Sequence, residues 1–498
     1  MVAVNNTLKI IGCMFIFLAF TSQAVASSPF MQQINITNHK QRNQPFIIQG
    51  GWPQIYCEGY QDNALKIDID SEDNIIVTGL SVTSTSCNAY TIKYDSNGNE
   101  IWNTSYNSGS NDVGFCLKVD NNDDILVFGY SGILPVSEGD CFIVKYSSDG
   151  VEQWNYTFSK GKCDYPGDIT VDSENNIIIT GGSGIWQMNL FYWTIKMDEN
   201  CVELWNRTFH ESSIDIGLGV TVDSQDNIIT TGVSFVLFVD PLFIFKYDKD
   251  GNIIWEKRRP GQQPSDVAVD SQDNIIITGA GYTQTVNMQT IKCDKDGTLL
   301  WNNEFDSGAY DGGSSVAIDS KDNIIVGGFS GYSNFDYSEH CAIIYDSEGN
   351  ELCFKREGVE GIIYGVAVNS QDEIYITGVI EEGIRGYYTT KFTDITPPEI
   401  QLEKPKPFYL HINGMPLLKL QKRTIAIGKL IVLLEPVNPS DIDYVEVYID
   451  KQFRIKLDDP PFEWIWDEIA FGKHTVDIIA YDSTGSAQRF DLDFSKFL

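Results

Sequence analysis

Five aspartates recur at one position of a repeated segment, and they are the residues of this sequence best placed to do chemistry. Each lies eight residues before a repeated acidic turn, and they are Asp62, Asp112, Asp164, Asp215 and Asp311. Carboxylates that converge from several segments can bind a cation such as calcium or meet a cationic or sugar ligand. Repeated aspartates can equally cap turns or tie neighbouring segments together, and two copies replace them with Gln262 and Gly361. Both interpretations stay open.

The other residue types that bind metals or attack substrates form no motif. The five histidines are scattered, no C-x-x-C occurs, and the recurring Gly-x-Ser lacks the second glycine of a nucleophile elbow. His340 ends an aromatic-rich segment, "SGYSNFDYSEH", which could grip a sugar or be an ordinary exposed loop. We therefore expect no catalytic residue, no metal site and no cofactor, apart from calcium as the one cation that the aspartates could take.

The repeat unit to which these aspartates belong occurs seven times in the sequence. "DSEDNIIVTG" begins at Asp70, and its copies begin at residues 120, 172, 223, 270, 319 and 369, which are 47 to 52 residues apart. Asp and Asn favour tight turns, and the calcium-loop spacing of an EF-hand is absent. Each unit holds four short apolar runs, such as "FCLKVD", "ILVFGYS", "CFIVKYS" and "VEQWNYTF". The sequence predicts an all-β fold with a seven-bladed β-propeller over residues 46–395.

A column of tryptophans indicates how the ring closes. Trp102, Trp154, Trp205 and Trp301 each lie 18 residues before the next acidic turn, and Trp255 lies 15 before it. Trp52 also lies 18 residues before Asp70, although no complete unit precedes it, while the last unit shows three strands. We expect the N-terminal strand around "FIIQGGWPQIY" to complete the seventh blade and so remove an exposed sheet edge.

A lysine column runs through the third strand of the units. Its members are Lys93, Lys145, Lys196, Lys246, Lys292 and Lys391, with Ile344 as the exception. A lysine inside a sheet needs water or a carboxylate for its ammonium group. We predict that these lysines pair with aspartates, and contact with a substrate is the alternative.

The chain ends predict export and a second domain. Residues 1–26 resemble a signal peptide, because a short apolar run from Ile10 to Phe20 precedes Ala24-Val25-Ala26. Retention of this run as an anchor stays open, and no C-terminal anchor is expected. We expect an N-terminal extension over residues 27–45 and a β-sandwich over residues 396–498, after Pro397-Pro398. Nine cysteines would remain after cleavage, and Cys341 and Cys353 are the easiest pair to bridge, although the connectivity stays open.

Four N-x-S/T sequons are candidate glycosylation sites. Asn103, Asn155 and Asn206 each follow a blade tryptophan directly, and Asn35 lies in the expected extension. Since strand side chains alternate between faces, an inward tryptophan leaves the next asparagine pointing outward. We predict that these asparagines can carry glycans in a host that attaches them.

Two families resemble parts of this sequence. The pattern "G-x-x-V-x-V-D-S-x-D-N-I-I-I-T-G … T-I-K-Y-D-x-x-G-N-x-x-W" resembles the SBBP-type β-propeller repeat of secreted bacterial and archaeal proteins, over about 350 residues. The segment with "YVEVYID" and "HTVDIIAYD" looks like a bacterial Ig-like domain, over about 100 residues. The resemblance implies a cell-surface or secreted binding module and fixes no activity.

The net charge of the chain limits the classes of partner that it could bind. The net charge of −34 disfavours binding to nucleic acid or to anionic lipid surfaces. We therefore expect a secreted or cell-surface binding or adhesion protein without catalytic activity, whose partner is a surface glycan or a protein. The alternatives are an extracellular carbohydrate-active enzyme, a lyase or hydrolase with its site on the axial face, and a structural envelope component without a small ligand.

Overall fold

A computed structural model describes most of the chain after residue 50. The described residues are 51–57, 61–83, 85–133, 138–185, 189–234, 241–282, 286–307, 310–331, 338–380, 386–392, 400–405, 409–412, 415–419, 424–436, 442–450, 452–482 and 486–497. The expected signal peptide, the N-terminal extension and Asn35 lie outside them. The described residues form strands and no helix, and among them no helix is long and apolar enough to cross a membrane.

Four-stranded antiparallel sheets follow one another along most of the chain. After β1 (Gln54–Tyr56), the first and second sheets are β2 (Gln61–Ile69), β3 (Ile75–Val82), β4 (Cys87–Tyr94), β5 (Glu100–Tyr106), β6 (Asn111–Val119), β7 (Ile125–Ile133), β8 (Glu138–Tyr146) and β9 (Glu152–Phe158). The third and fourth sheets are β10 (Cys163–Val171), β11 (Ile177–Ile185), β12 (Asn189–Met197), β13 (Glu203–Phe209), β14 (Asp215–Val222), β15 (Ile228–Ser234), β16 (Pro241–Tyr247) and β17 (Ile253–Pro260). Within each sheet, each strand pairs with the next in sequence.

The later sheets repeat this pattern with one long shared strand. The fifth and sixth sheets begin with β18 (Gln262–Val269), β19 (Ile275–Tyr282), β20 (Val286–Cys293), β21 (Leu299–Phe305), β22 (Tyr310–Ile318), β23 (Ile324–Gly331) and β24 (Ser338–Tyr345). Strand β25 (Glu351–Val368) ends the sixth sheet with its first half and begins the seventh with its second half. The seventh sheet continues with β26 (Ile374–Ile380) and β27 (Gly386–Phe392).

The sheets are arranged in a ring. The first strand of each sheet contacts the first strand of the next, in the order β2, β6, β10, β14, β18, β22 and β25, and β25 returns to β2. Strand β1 pairs antiparallel with β27 as the outermost strand of the seventh sheet, with Ile55 opposite Tyr388. The N-terminal segment therefore shares a sheet with the last repeat, and the fold is propeller-like.

The acidic turn between the first two strands of each sheet is built by its own side chains. In the first sheet, Asp70 Oδ1 accepts hydrogen bonds from the amides of Glu72 and Asn74, at 3.0 and 2.9 Å. The fourth turn residue, Asp73, has a φ of 62°, in the left-handed region that Asp and Asn tolerate better than most residues. The need for a side-chain acceptor at the first turn position and for a left-handed φ at the fourth explains why the same residue types recur in the copies.

The same turns also bind neighbouring sheets to each other. Ser71 donates from its amide and its hydroxyl to Asp123, the fourth turn residue of the second sheet, at 2.9 and 2.6 Å. Equivalent contacts link successive turns around the ring, at Asn121–Asn175, Ser173–Asp226, Ser224–Asp273, Ser271–Asp322, Ser320–Asp372 and Ser370–Asp73. The last of these joins the seventh sheet to the first.

Two further sheets lie in the C-terminal part of the chain. Strands β28 (Ile400–Lys404), β29 (Tyr409–Ile412), β30 (Met415–Lys419), β31 (Thr424–Ile427), β32 (Leu430–Pro436), β33 (Tyr444–Ile449), β34 (Gln452–Leu457), β35 (Phe462–Trp466), β36 (Phe471–Tyr481) and β37 (Ser486–Phe497) form them. One sheet has the order β28-β32-β35, and the other contains the remaining strands. They share one apolar core, which includes Val432, Phe462, Val447 and Ile478.

This C-terminal unit packs on the sixth sheet of the ring. Strand β37 pairs with β25, with Ala487 opposite Phe354. Tyr481 is buried in an apolar cluster with Phe354 and stacks on Tyr444, with ring centroids 4.6 Å apart. Arg489 lies over the ring of Phe305 in the fifth sheet. The two parts of the chain therefore share apolar and backbone contacts.

Candidate functional site

The five recurring aspartates lie at or next to the start of the first strand in their sheets, and all are fully buried. Asp112 accepts hydrogen bonds from the amide and hydroxyl of Ser108, at 2.7 and 2.8 Å, and Asp311 accepts the same pair from Ser307. The corresponding contacts elsewhere are Val82 N to Asp62, Lys160 N to Asp164 and Glu211 N to Asp215. In four of the five, the carboxylate bonds to the segment that leads into its own strand.

This geometry supports turn capping as the role of these aspartates. Burial raises the pKa of Asp311 to about 6, although the hydrogen bonds that this carboxylate accepts act to lower it. Burial likewise raises the pKa of Asp164. Among the residues that the structure describes, no group of three or more His, Cys, Asp or Glu side chains is arranged to bind a metal ion. Ligand or calcium binding by the aspartates stays a prediction.

The lysine column pairs with the acidic turns, as the sequence predicts. Lys93, for example, lies 2.7 Å from Asp70 and donates to the carbonyl of Ser148 in the next sheet. The other pairs are Lys145–Asp120, Lys196–Asp172, Lys246–Asp223, Lys292–Asp270 and Lys391–Glu373. These ion pairs hold turns to strands.

The tryptophan column connects neighbouring sheets. The indole N–H of Trp102 donates to the carbonyl of Ser148 at 2.9 Å, and its ring covers Gly150 of the same turn. Trp52 makes the equivalent bond to the carbonyl of Ser96, which places it in the same column. The sequon residues Asn103, Asn155 and Asn206 are exposed on the outer strands, where a glycan has room, and glycosylation itself stays a prediction.

Two sequence expectations about polar residues are corrected by the structure. His340 does not lie in an exposed loop, because it is fully buried in β24 and its Nε2 contacts the carbonyl of Val379 at 3.0 Å. None of the nine cysteines from Cys57 to Cys353 forms a disulfide, so Cys341 and Cys353 are not bridged. Arg356 lies opposite Cys341 across the hairpin, and Ile344 lies opposite Cys353, which separates the two thiols.

A cavity of about 160 Å³ lies where the first strands of the ring meet. All of these strands contribute to its wall, and the lining is mostly apolar. Five aromatic side chains face it: Phe115, Tyr130, Tyr165, Phe329 and Tyr364. Small residues, Ser265 and Ser314, occupy positions where other sheets carry Leu65, Phe115, Leu218 and Tyr364. Gly167 is a third small residue at this position, so side chains of very different size line the cavity at this level of the ring.

Lys66 and Cys116 of the cavity wall belong to a charge cluster. Lys66 reaches across the ring from the first sheet, and its Nζ lies 3.2 Å from Asp266 Oδ1 and 3.6 Å from Asp168 Oδ1. Ser315 donates its hydroxyl to Asp266 Oδ2 at 2.8 Å. Cys116 donates its thiol to the carbonyl of Gly167 at 2.9 Å. We call Lys66, Cys116, Asp168 and Asp266 the axial cluster.

The surroundings of Lys66 and Cys116 in the axial cluster determine their protonation states. Burial lowers the pKa of Lys66, but the neighbouring Asp168 and Asp266 carboxylates outweigh it, and the net shift is upward. Burial raises the pKa of Cys116 well above its usual value. Lys66 is therefore a stable ammonium and Cys116 a stable thiol, whereas a nucleophile would need the opposite ionisation states. The arrangement suits binding better than catalysis.

The axial cluster was missed from the sequence, although a signal exists. Four residues before each acidic turn, the copies read Lys66, Cys116, Asp168, Gly219, Asp266, Ser315 and Gly365. Such variation inside a regular repeat indicates a position that does not serve the repeat. Only the ring arrangement shows that residues 200 positions apart, Lys66 and Asp266, point at each other.

The comparisons with known proteins concern the fold. No family model and no curated protein match the chain. The extracellular domain of the hybrid two component system BT3049 from B. thetaiotaomicron is 11% identical with a TM-score of 0.41, covering 87% of this chain and 61% of that chain, which is less than two thirds of its length. The Neurospora crassa Pan2 WD40 domain is 11% identical (TM-score 0.44, 68% and 91% covered), and the Dos1 propeller is 10% identical (0.42, 70% and 98%). These neighbours are propeller-like.

Proposed function

We propose that this chain is an extracellular, non-catalytic binding protein whose ligand occupies the axial cavity. In this account a seven-bladed β-propeller, closed by its N-terminal strand, provides the site, and an Ig-like β-sandwich serves as a spacer or second contact. The expected signal peptide and the surface sequons support export, and the acidic charge disfavours nucleic acid as the partner. The SBBP-type and Ig-like resemblances belong to this proposal.

The single observation that carries the proposal is the largely apolar cavity with five aromatic side chains and one charged side chain, Lys66, in its wall. Small-molecule sites in proteins are typically concave and mostly apolar, with a few polar groups at fixed positions. Cavities of about this size in apolar surroundings bind single-ring molecules, since about 150 Å³ is enough for benzene. The cavity of about 160 Å³ is thus matched to a small ligand rather than to a polymer chain.

The test is a calorimetric titration with a neutral single-ring compound, toluene. We expect toluene to bind the wild type and Ser265→Ala, and to lose binding in Ser265→Phe, because the added ring would fill the cavity. Other sheets carry Phe115 and Tyr364 at this position, so the larger side chain suits the fold. Equal binding by Ser265→Phe, or no binding by the wild type, would refute the proposal.

A carbohydrate-active enzyme is the second candidate, because unlike residues do meet at the ring axis. Two carboxylates, an ammonium and a thiol are the kinds of group from which acid–base sites are built. However, Asp266 accepts four hydrogen bonds, from Lys66, Val267 N, Ser315 and Val316 N. Polysaccharide depolymerisation by the wild type that disappears in Asp266→Asn would favour this candidate over the binding protein.

A further inference from the structure

The axial cavity has one charged group in its wall. Among the described residues that line it, Lys66 is the only charged side chain, while Asp168 and Asp266 lie behind it. The rest of the wall consists of aromatic and aliphatic side chains with a few small or neutral polar residues. A ligand that filled this cavity would therefore meet an ammonium group at one end and apolar surface elsewhere.

The ammonium group of Lys66 keeps donor capacity for such a ligand. It has three N–H donors, of which one is directed to Asp266 Oδ1 at 3.2 Å, while Asp168 Oδ1 at 3.6 Å is beyond hydrogen-bond distance. The Lys66 side chain is 22% exposed, whereas the Asp168 side chain is 6% exposed. Asp168 Oδ1 has no hydrogen-bond partner although it is buried. Lys66 can therefore donate to an acceptor on a ligand, whereas Asp168 Oδ1 is itself an acceptor and needs a proton or a donor beside it.

Resting on the proposed function, we propose that the axial cavity binds a single-ring organic monocarboxylate, with the ring against the aromatic wall and the carboxylate accepting from Lys66. The apolar lining would contact the body of the ligand, and Lys66 is the charged group in the wall that its polar group would meet. A cationic amine would meet this ammonium as well, and like charges repel, while Asp168 and Asp266 behind Lys66 act in the opposite direction.

Binding of a carboxylate here is coupled to uptake of a proton. The groups that face Asp168 are Lys66, Asp266 and the thiol of Cys116, so a third carboxylate would leave the site with an excess of negative charge. Protonation of Asp168 relieves this excess, and burial already raises the pKa of that carboxyl. Since the liganded state binds the extra proton, affinity rises as pH falls, until the ligand itself is protonated.

The experiment compares benzoate, toluene and benzylamine by calorimetric titration of the full chain. We expect benzoate to bind the wild type about tenfold more tightly at about pH 5.5 than at about pH 8. Lys66→Met should lose benzoate but keep toluene, and Asp168→Asn should bind benzoate without this pH dependence. Lys118→Met is the matched control, because Lys118 is paired with Asp68 in a similar ion pair outside the cavity wall.

The outcomes separate this inference from the proposed function. If toluene binds and benzoate does not, or if benzylamine binds better than benzoate, the ligand class is wrong and the cavity remains a binding site. If neither toluene nor benzoate binds, both proposals fail. Should Lys66→Met fail to fold because two buried carboxylates lose their cation, the double variant Lys66→Met/Asp168→Asn gives the same readout. Benzoate binding by that variant as tight as by the wild type would overturn the inference.

Discussion

Ser370 donates from its amide and its hydroxyl to the carboxylate of Asp73, both at 2.9 Å, although the two residues are 297 positions apart. The same Ser–Asp contact joins most other neighbouring sheets, for example Ser224 and Asp273. The acidic turns thus form a continuous hydrogen-bonded circle, and the contact at Ser370 is where its two ends meet.

We predict that the closing contact is energetically coupled like the internal ones. A double-mutant cycle with Ser370→Ala and Asp73→Ala should give a coupling of about 0.5–1.5 kcal/mol, the net value of a hydrogen bond, in urea unfolding. The cycle cancels the cost of placing alanine at the left-handed φ of Asp73. The Ser224–Asp273 cycle is the control. A coupling near zero at Ser370–Asp73 alone would mean that the circle is open at this point.

We predict that the buried lysines stabilise the sheets through charge rather than volume. Lys246 and Asp223 are almost fully buried and 2.8 Å apart, so Lys246→Met should cost about 3–5 kcal/mol of unfolding free energy at neutral pH. The pKa of Asp223 lies below its usual value, because Lys246 and Asn227 outweigh the opposing effect of burial. A carboxyl group whose pKa is lowered in the folded state stabilises the fold at pH values above its unfolded pKa, and this stabilisation is lost as pH falls. The cost of Lys246→Met should therefore shrink below about pH 4.

The sixth sheet offers the matched control for this substitution. Ile344 occupies the lysine position there, and Ile344→Met exchanges one apolar side chain for another of similar volume, with an expected cost below about 1.5 kcal/mol. Chemical unfolding of both variants at several pH values provides the comparison. Equal costs for the two substitutions, or a cost for Lys246→Met that does not change with pH, would assign the column to packing alone.

We predict that Asp311 destabilises the fold as pH rises. Its pKa is raised by burial from 3.8 to about 6, so its protonated form is favoured in the folded state. A raised pKa contributes stability that is fully present below about pH 4 and lost as pH passes 6. Relative to the wild type, Asp311→Asn should therefore gain about 3 kcal/mol between about pH 4 and pH 7, by urea unfolding. A difference that stays constant with pH would contradict the burial of an ionisable carboxyl.

We predict that the ring and the C-terminal unit unfold together. Tyr481 is fully buried between Phe354 and Tyr444, and Tyr481→Ala should remove about 3–5 kcal/mol from this contact. Calorimetry should then resolve two thermal transitions instead of one. Tyr481→Phe keeps the ring and is the control, for which a single transition is expected. Two transitions already in the wild type would show that the contact does not couple the two parts.

Much of this structure could be predicted from the repeat, because each repeated residue has the same role in every sheet. The pairing of Lys93 with Asp70, the contact of Trp52 and the exposure of Asn103 all follow from position in the repeat. The axial cluster could not be found this way. Lys66 and Asp266 come from sheets far apart in sequence, and only the ring arrangement brings them within 3.2 Å. Burial of His340 was equally hidden, since its segment lacks any alternating pattern.

A ligand site at the ring axis is tested most directly by a crystal structure of the chain soaked with iodobenzene, whose iodine can be located by anomalous scattering. We expect an iodine peak inside the axial cavity, in contact with Phe115, Leu218 or Tyr364, and no such peak in Ser265→Phe. Iodine peaks at the surface with none in the cavity, or a peak there that persists in Ser265→Phe, would contradict a ligand site at the ring axis.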